Sequence, residues 1–205
     1  MVDGVVVGRR TRRRDGLLQL EQGWKGDRPH GWRRTWYDDG SLEWEAFVID
    51  GAEHGVCRQW HEGRLIGWYV MDHGTGIDLW RNADGALSEE RYCRAGEWHG
   101  YERWWSGEDN GRIWLERHFH ENVEHGIERQ WNGRDRIKRG YPRYFVNGER
   151  VTKRQYLKAA ESDPTLPPYR PEDDRPERPL PPEYFATMPP AVPPVIPVPE
   201  LGPVS

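Results

Sequence analysis

Histidine, glutamate and arginine each recur four times in this chain at fixed spacing, and each is a residue type that does chemistry. His30, His54, His99 and His125 all precede a glycine. Glu21, Glu45, Glu90 and Glu116 stand nine residues before them, and Arg34, Arg58, Arg103 and Arg129 four residues after. Clustered histidines would ligate zinc, paired carboxylates would serve acid–base catalysis, and a row of arginines would hold phosphates. Geometry decides among these. Zinc ligands lie within about 2.1 Å of the metal, but equivalent positions of successive hairpins are roughly 10 Å apart, twice the spacing of ~4.8 Å between strands. Neighbouring copies therefore cannot share an ion. Carboxylate pairs of the glycosidase type need about 5–10 Å, which adjacent copies just reach, but no other part of such a site accompanies them. The arginines read as stacked on tryptophan and paired with the repeated glutamates. No phosphate loop, nucleophile elbow or Cys/His zinc motif is present. The sequence implies no catalytic residue, no metal and no cofactor.

The elements that carry these residues are set by glycine. Gly16 to Gly31, Gly40 to Gly55, Gly85 to Gly100 and Gly111 to Gly126 are four fifteen-residue intervals, each with a tryptophan five residues past the second glycine: Trp36, Trp60, Trp105 and Trp131. Repetition at this scale marks an array of small supersecondary units. In the second copy Leu42 and Trp44 alternate with Ser41, Glu43 and Glu45, a strand with one buried face. Asp50-Gly51 and His54-Gly55 are expected to bracket a loop, and Asp39-Gly40, Glu62-Gly63, Asp84-Gly85 and Asn110-Gly111 to turn the chain between hairpins. A reversal at Asp39 would set Trp36 opposite Leu42 and Arg34 opposite Trp44, making one face aromatic and the other polar. The interval from Gly63 to Gly76 is short and lacks the histidine, which predicts a hairpin with a shorter turn. A degenerate last copy runs from about 137 to 148. Thr152 and Gln155 then form a capping-box pattern, with Val151 and Tyr156 as a staple. This predicts a helix over 153–161, with Tyr156, Leu157 and Ala160 on one side, closing the array.

Composition divides the chain. All 12 tryptophans lie between Trp24 and Trp131, and fifteen of the 17 prolines between Pro164 and Pro203. The expected organisation is a basic flexible segment over 1–14, hairpin repeats over 15–148, the capping helix within 149–161 and a disordered proline-rich tail over 162–205. The fold class is all-β, an elongated single-layer antiparallel meander. Residues 1–161 balance 27 acidic against 27 basic side chains, which argues against a nucleic-acid groove. The arginines at 9–14 follow a short apolar run, the reverse of a secretory signal. With no spanning apolar stretch either, the expected compartment is the cytoplasm. Cys57 and Cys93 read as ordinary strand residues.

The x-Gly-x-x-His-Gly pattern, the aromatic strand after it and the Asp/Asn-Gly turns resemble the MORN-variant repeat, found in tandem in proteins of the YwqK-type antitoxin-like family. The stretch Phe145 to Tyr156 and the Asp163-Pro-Thr-Leu-Pro167 after it resemble the end of such proteins. The resemblance covers about residues 15–167 and implies a scaffold that binds another protein, such as a cognate toxin. The alternative is an adaptor for anionic membrane lipid. Partner contacts are expected on the aromatic face: Trp44, Trp60 and Arg58, with Trp105 and Arg103 on the matching face of a later copy. Trp98, Trp104 and Trp114 fall off the periodic positions and are the candidates for exposed contact residues.

Overall fold

The structure is a computed structural model that describes residues 9–12 (backbone only), 16–106, 112–133, 136–180 and 184. The strands are β1 (Arg9–Arg12), β2 (Leu18–Lys25), β3 (Arg28–Trp36), β4 (Leu42–Ile49), β5 (Ala52–His61), β6 (Arg64–Asp72), β7 (Thr75–Arg81), β8 (Leu87–Arg94), β9 (Glu97–Trp105), β10 (Ile113–His120), β11 (Val123–Glu124), β12 (Gly126–Gln130), β13 (Arg143–Val146) and β14 (Glu149–Val151). One helix, α1 (Lys153–Ala160), follows them. Each strand pairs with its sequence neighbours, and β11 is a side branch on β10. The result is an unclosed antiparallel meander. Among the described residues no helix is long and apolar enough to cross a membrane. The chain forms two compact units, one within Met1–Val70 and one spanning Met71–Phe185.

The hairpin turns are two residues long and sit where the strand alternation leaves off. Asp50 and Gly51 both adopt positive φ, at 49° and 95°, as do Glu62-Gly63, His73-Gly74, Ala95-Gly96 and Asn147-Gly148. This is the type I′ conformation, whose twist matches that of paired strands. Asp39-Gly40 and Asp84-Gly85 instead close longer loops, in which the aspartate carboxylate accepts from the backbone N–H two residues on. The expected Asn110-Gly111 turn lies outside the described residues.

His54-Gly55 does not bracket the loop. The strand runs straight through it, and the His-Gly pairs mark a recurring bulge. In the first copy Gln22 pairs with Arg33 and Trp24 with Pro29, so the later strand spends two extra residues around His30-Gly31. The same two-residue excess separates Glu45↔Arg58 from Phe47↔His54, and Arg91↔Glu102 from Cys93↔Trp98. Such an insertion needs a residue free of Cβ strain, and Gly100 sits at φ +112° with Tyr92 Cβ 3.0 Å from where a side chain would begin. The short copy differs from the others after its turn. Its turn, His73-Gly74, is no shorter than the others, and the two residues it lacks come after the turn, where the other copies carry the bulge.

Three further expectations change. Among the described residues the array already includes β1, which pairs with β2, so this part of the N-terminal segment is strand; Arg13 and Arg14 lie outside the described residues. Arg34 lies opposite Glu45 and not Trp44, because the register slips between Thr35 and Trp36. The proline-rich segment is packed well past residue 162: Leu166 and Tyr184 are buried, and Pro171–Asp174 form a short 3-10 helix. The remaining tail residues lie outside the described residues. Thr152 and Gln155 do form the capping box, and Tyr156 is buried with Ile127, Tyr144 and Leu166. Leu157 is exposed instead of joining them.

Candidate interaction surface

In the four full-length copies the bulge sets a common register, so every repeated glutamate meets a repeated arginine across the strands. In the second unit Glu90 pairs with Arg103, Arg103 with Glu116, and Glu116 with Arg129. The side chains follow: Arg103 Nη1 lies 3.3 Å from Glu90 and its Nε 2.9 Å from Glu116, while Arg129 Nη1 lies 2.9 Å from Glu116. Arg103 also stacks over Tyr101 at 4.3 Å. The row is a ladder of alternating charge running perpendicular to the strands.

A strap covers this ladder. The described residues of this segment, 163–180 and Tyr184, lie against the same face and include the short 3-10 helix Pro171–Asp174, with their polar groups matched to the rungs. Asp174 accepts from Arg129 at 3.1 Å, and Arg178 donates twice to Glu116, at 3.0 and 3.1 Å. Tyr184 donates to Glu90 at 2.7 Å, and Arg81 donates to the Tyr184 carbonyl. The indole of Trp131 donates to the Asp174 carbonyl at 2.9 Å and carries the Arg178 guanidinium over its ring. At the start of the strap, Tyr156 donates to the Pro167 carbonyl at 2.5 Å. His125 holds Thr165 and Asp163 through Nε2 and accepts the Asn147 N–H at Nδ1.

Burial and charge set the electrostatics. Burial alone would raise the Glu116 carboxyl, but the hydrogen bond and charge of Arg178, with the charges of Arg103 and Arg129, hold it at about 2. Burial opposes the charge on Arg103, and Glu116 and Glu90 override it, so its pKa rises. Burial raises the Tyr184 hydroxyl and the Glu90 charge raises it further, which keeps it a donor. Burial also depresses His125, against the pull of Asp163, and keeps that imidazole neutral.

The first unit carries the same ladder in a more open form. Arg34 bridges Glu45 at 3.1 Å and Glu21 at 3.5 Å, and Arg58 reaches Glu45 at 3.4 Å. Arg34 stacks over Trp32 at 4.8 Å, as Arg103 does over Tyr101. In the backbone register Arg10 lies opposite Glu21. The Glu45 side chain keeps 14% of its surface exposed against 2% for Glu116, and Arg58 keeps 31% against 3% for Arg129.

The expected contact residues are thereby separated. Arg58 and Trp60 do share the ladder face, as do Arg103 and Trp105. Trp44 points the other way, paired with Gln59, and is buried at 4%. Trp105 is buried at 5%, so neither it nor Trp44 presents contact surface. Trp98 is half-buried against Phe119. Trp104 and Trp114 meet edge to face at 5.7 Å, and Trp114 is exposed. Trp104 pairs with Leu115 while the ladder residue Arg103 pairs with Glu116, so Trp104 lies on the face opposite the ladder. Sequence reasoning missed Asp174, Arg178 and Tyr184 because proline content reads as disorder. Their signal was the mix of alternating charge and tyrosine in that tail, a complement to the ladder.

Comparison with known proteins found no match among family models, curated proteins or solved structures.

Proposed function

We propose that the chain is a non-enzymatic, cytoplasmic protein-binding scaffold of the MORN-variant kind, with an antitoxin or immunity-like role toward a partner protein. The observation that supports this reading is the strap: one face of the repeat array holds a separate segment of chain by matching donors and acceptors to a charge ladder. A surface that does this in cis has the chemistry to do it with another chain. Interface energy concentrates in Trp, Tyr and Arg, and the ladder face of the first unit offers Trp32, Trp36, Trp60, Arg34 and Arg58 together.

The lipid-adaptor alternative is less well supported. Its arginines would have to be available to anionic headgroups, yet Arg34, Arg58, Arg103 and Arg129 are each engaged by a carboxylate. Co-expression with the product of a neighbouring gene is the direct test. The expected result is a stable complex that loses affinity in Arg58→Ala or Trp32→Ala chains of unchanged thermal stability, and relief of any toxicity of that product. Salt-sensitive flotation with anionic vesicles, and no such complex, would replace this reading with the adaptor. Docking at Trp104 and Trp114 would retain the scaffold and move its site to the opposite face.

A further inference from the structure

The two ladders correspond rung for rung. Glu45 stands between Arg34 and Arg58 as Glu116 stands between Arg103 and Arg129. Trp32 stacks on Arg34 where Tyr101 stacks on Arg103. Trp36 and Trp60 occupy the places of Trp105 and Trp131, which are buried in the second unit and only half-buried in the first. Trp32 is itself 40% exposed. The second unit therefore shows what a bound occupant of such a ladder looks like, and the first unit displays the same donors, acceptors and rings with surface to spare.

We infer that the Trp32–Arg34–Glu45–Arg58 strip of the first unit is a binding site for an extended segment of a partner protein, one that carries an arginine and, six residues further on, a tyrosine. This rests on the scaffold reading and specifies its ligand. The arginine is set by Glu45, whose two carboxylate oxygens face Arg34 and Arg58 as those of Glu116 face Arg103 and Arg129; in the second unit a third guanidinium, Arg178, completes that carboxylate. The tyrosine is set by the spacing from Arg178 to Tyr184 across to the next glutamate. The occupant comes from a different protein because the chain's own copy of this motif is engaged on the second unit. Charge-assisted bonds of a buried guanidinium are the strongest available to such a peptide, and the exposed indole supplies area beside them.

The test uses the full-length chain and a fluorescent peptide with the sequence of residues 170–185, read by anisotropy. Saturable binding is expected, weakened about tenfold or more by Arg178→Ala in the peptide and by Glu45→Gln in the protein, with a several-fold loss in Trp32→Ala. Trp32 is exposed, so its variant keeps the test valid if Glu45→Gln lowers the melting temperature. Three results would overturn the proposal. One is no binding to the wild-type chain. The second is binding indifferent to Glu45→Gln and Trp32→Ala but strengthened by Arg178→Ala in the protein, which means exchange with the strap on the second unit. The third is self-association of the wild-type chain that Glu45→Gln abolishes, which makes a second copy the occupant. A failed peptide leaves the scaffold reading open to its own co-expression test, so the two stand or fall separately.

Discussion

At the scale of single residues, the same pair of types does different work according to cover. Glu116 is ringed by Arg103, Arg129 and Arg178 and excluded from water, so removing its charge strands three guanidinium groups. Glu116→Gln should cost on the order of 3–5 kcal/mol, the usual penalty for breaking a buried ion network from one side. Its repeat equivalent Glu45 keeps some exposure and its partners Arg34 and Arg58 are about a third exposed, so Glu45→Gln should cost less, about 1 kcal/mol. Urea denaturation of both variants checks the contrast. The pH dependence follows with a definite sign. The Glu116 pKa in the folded chain is depressed from 4.5 to about 2, so its stabilisation is complete above pH ~4.5 and is lost as pH falls toward ~2, roughly 3 kcal/mol in all. Acid unfolding of the Glu116→Gln chain should lack that component. The residue types of the ladder were legible in the sequence, since four glutamates and four arginines recur in phase. Which arginine met which glutamate was not, because strict alternation put Arg34 opposite Trp44.

At the scale of elements, a one-residue slip between β3 and β4, separate from the His-Gly bulge, corrects that error. Counting by twos carries a strand's face assignment unchanged through any insertion, whereas the slip between Thr35 and Trp36 re-pairs Arg34 with Glu45. The hairpins themselves were legible because glycine spacing recurs; the bulge was hidden because a His-Gly pair near a turn looks like part of the turn. Gly100→Ala tests its strain directly. At φ +112° with Tyr92 Cβ 3.0 Å away, the substitution should destabilise by about 1–3 kcal/mol, read as a lower melting temperature. At the far end, Thr152→Ala removes the capping box of α1 and should cost about 1 kcal/mol. His125 adds a second pH effect. Its pKa is lowered in the folded state, so the neutral form stabilises the chain above pH ~6.5, and that contribution fades as pH drops below it. Replacing His125 should therefore flatten the loss of stability just below neutrality.

At the scale of the whole molecule, a single-layer meander has to cover at least one face with something other than a second sheet. The sequence made this need visible through twelve tryptophans and a thin apolar fraction, and it placed the capping helix. It did not reveal that a proline-rich segment covers the ladder, because the segment's fit lies in three side chains matched to distant strands and not in any local pattern. Proline suits the role: it favours an extended course at low entropic cost and leaves side chains such as Arg178 and Tyr184 to make the contacts. The ladder holds the strap through matched charges. Amide hydrogen exchange on the full-length chain, wild type against Arg178→Ala, tests it most directly. Loss of the paired bonds to Glu116 should release the strap by roughly 1.5–3 kcal/mol. Exchange should then accelerate at least tenfold at the Ile113 amide, which donates to the Pro176 carbonyl, while the paired amides of β4 and β5 keep wild-type rates. Unchanged exchange at Ile113 in the variant would contradict the account.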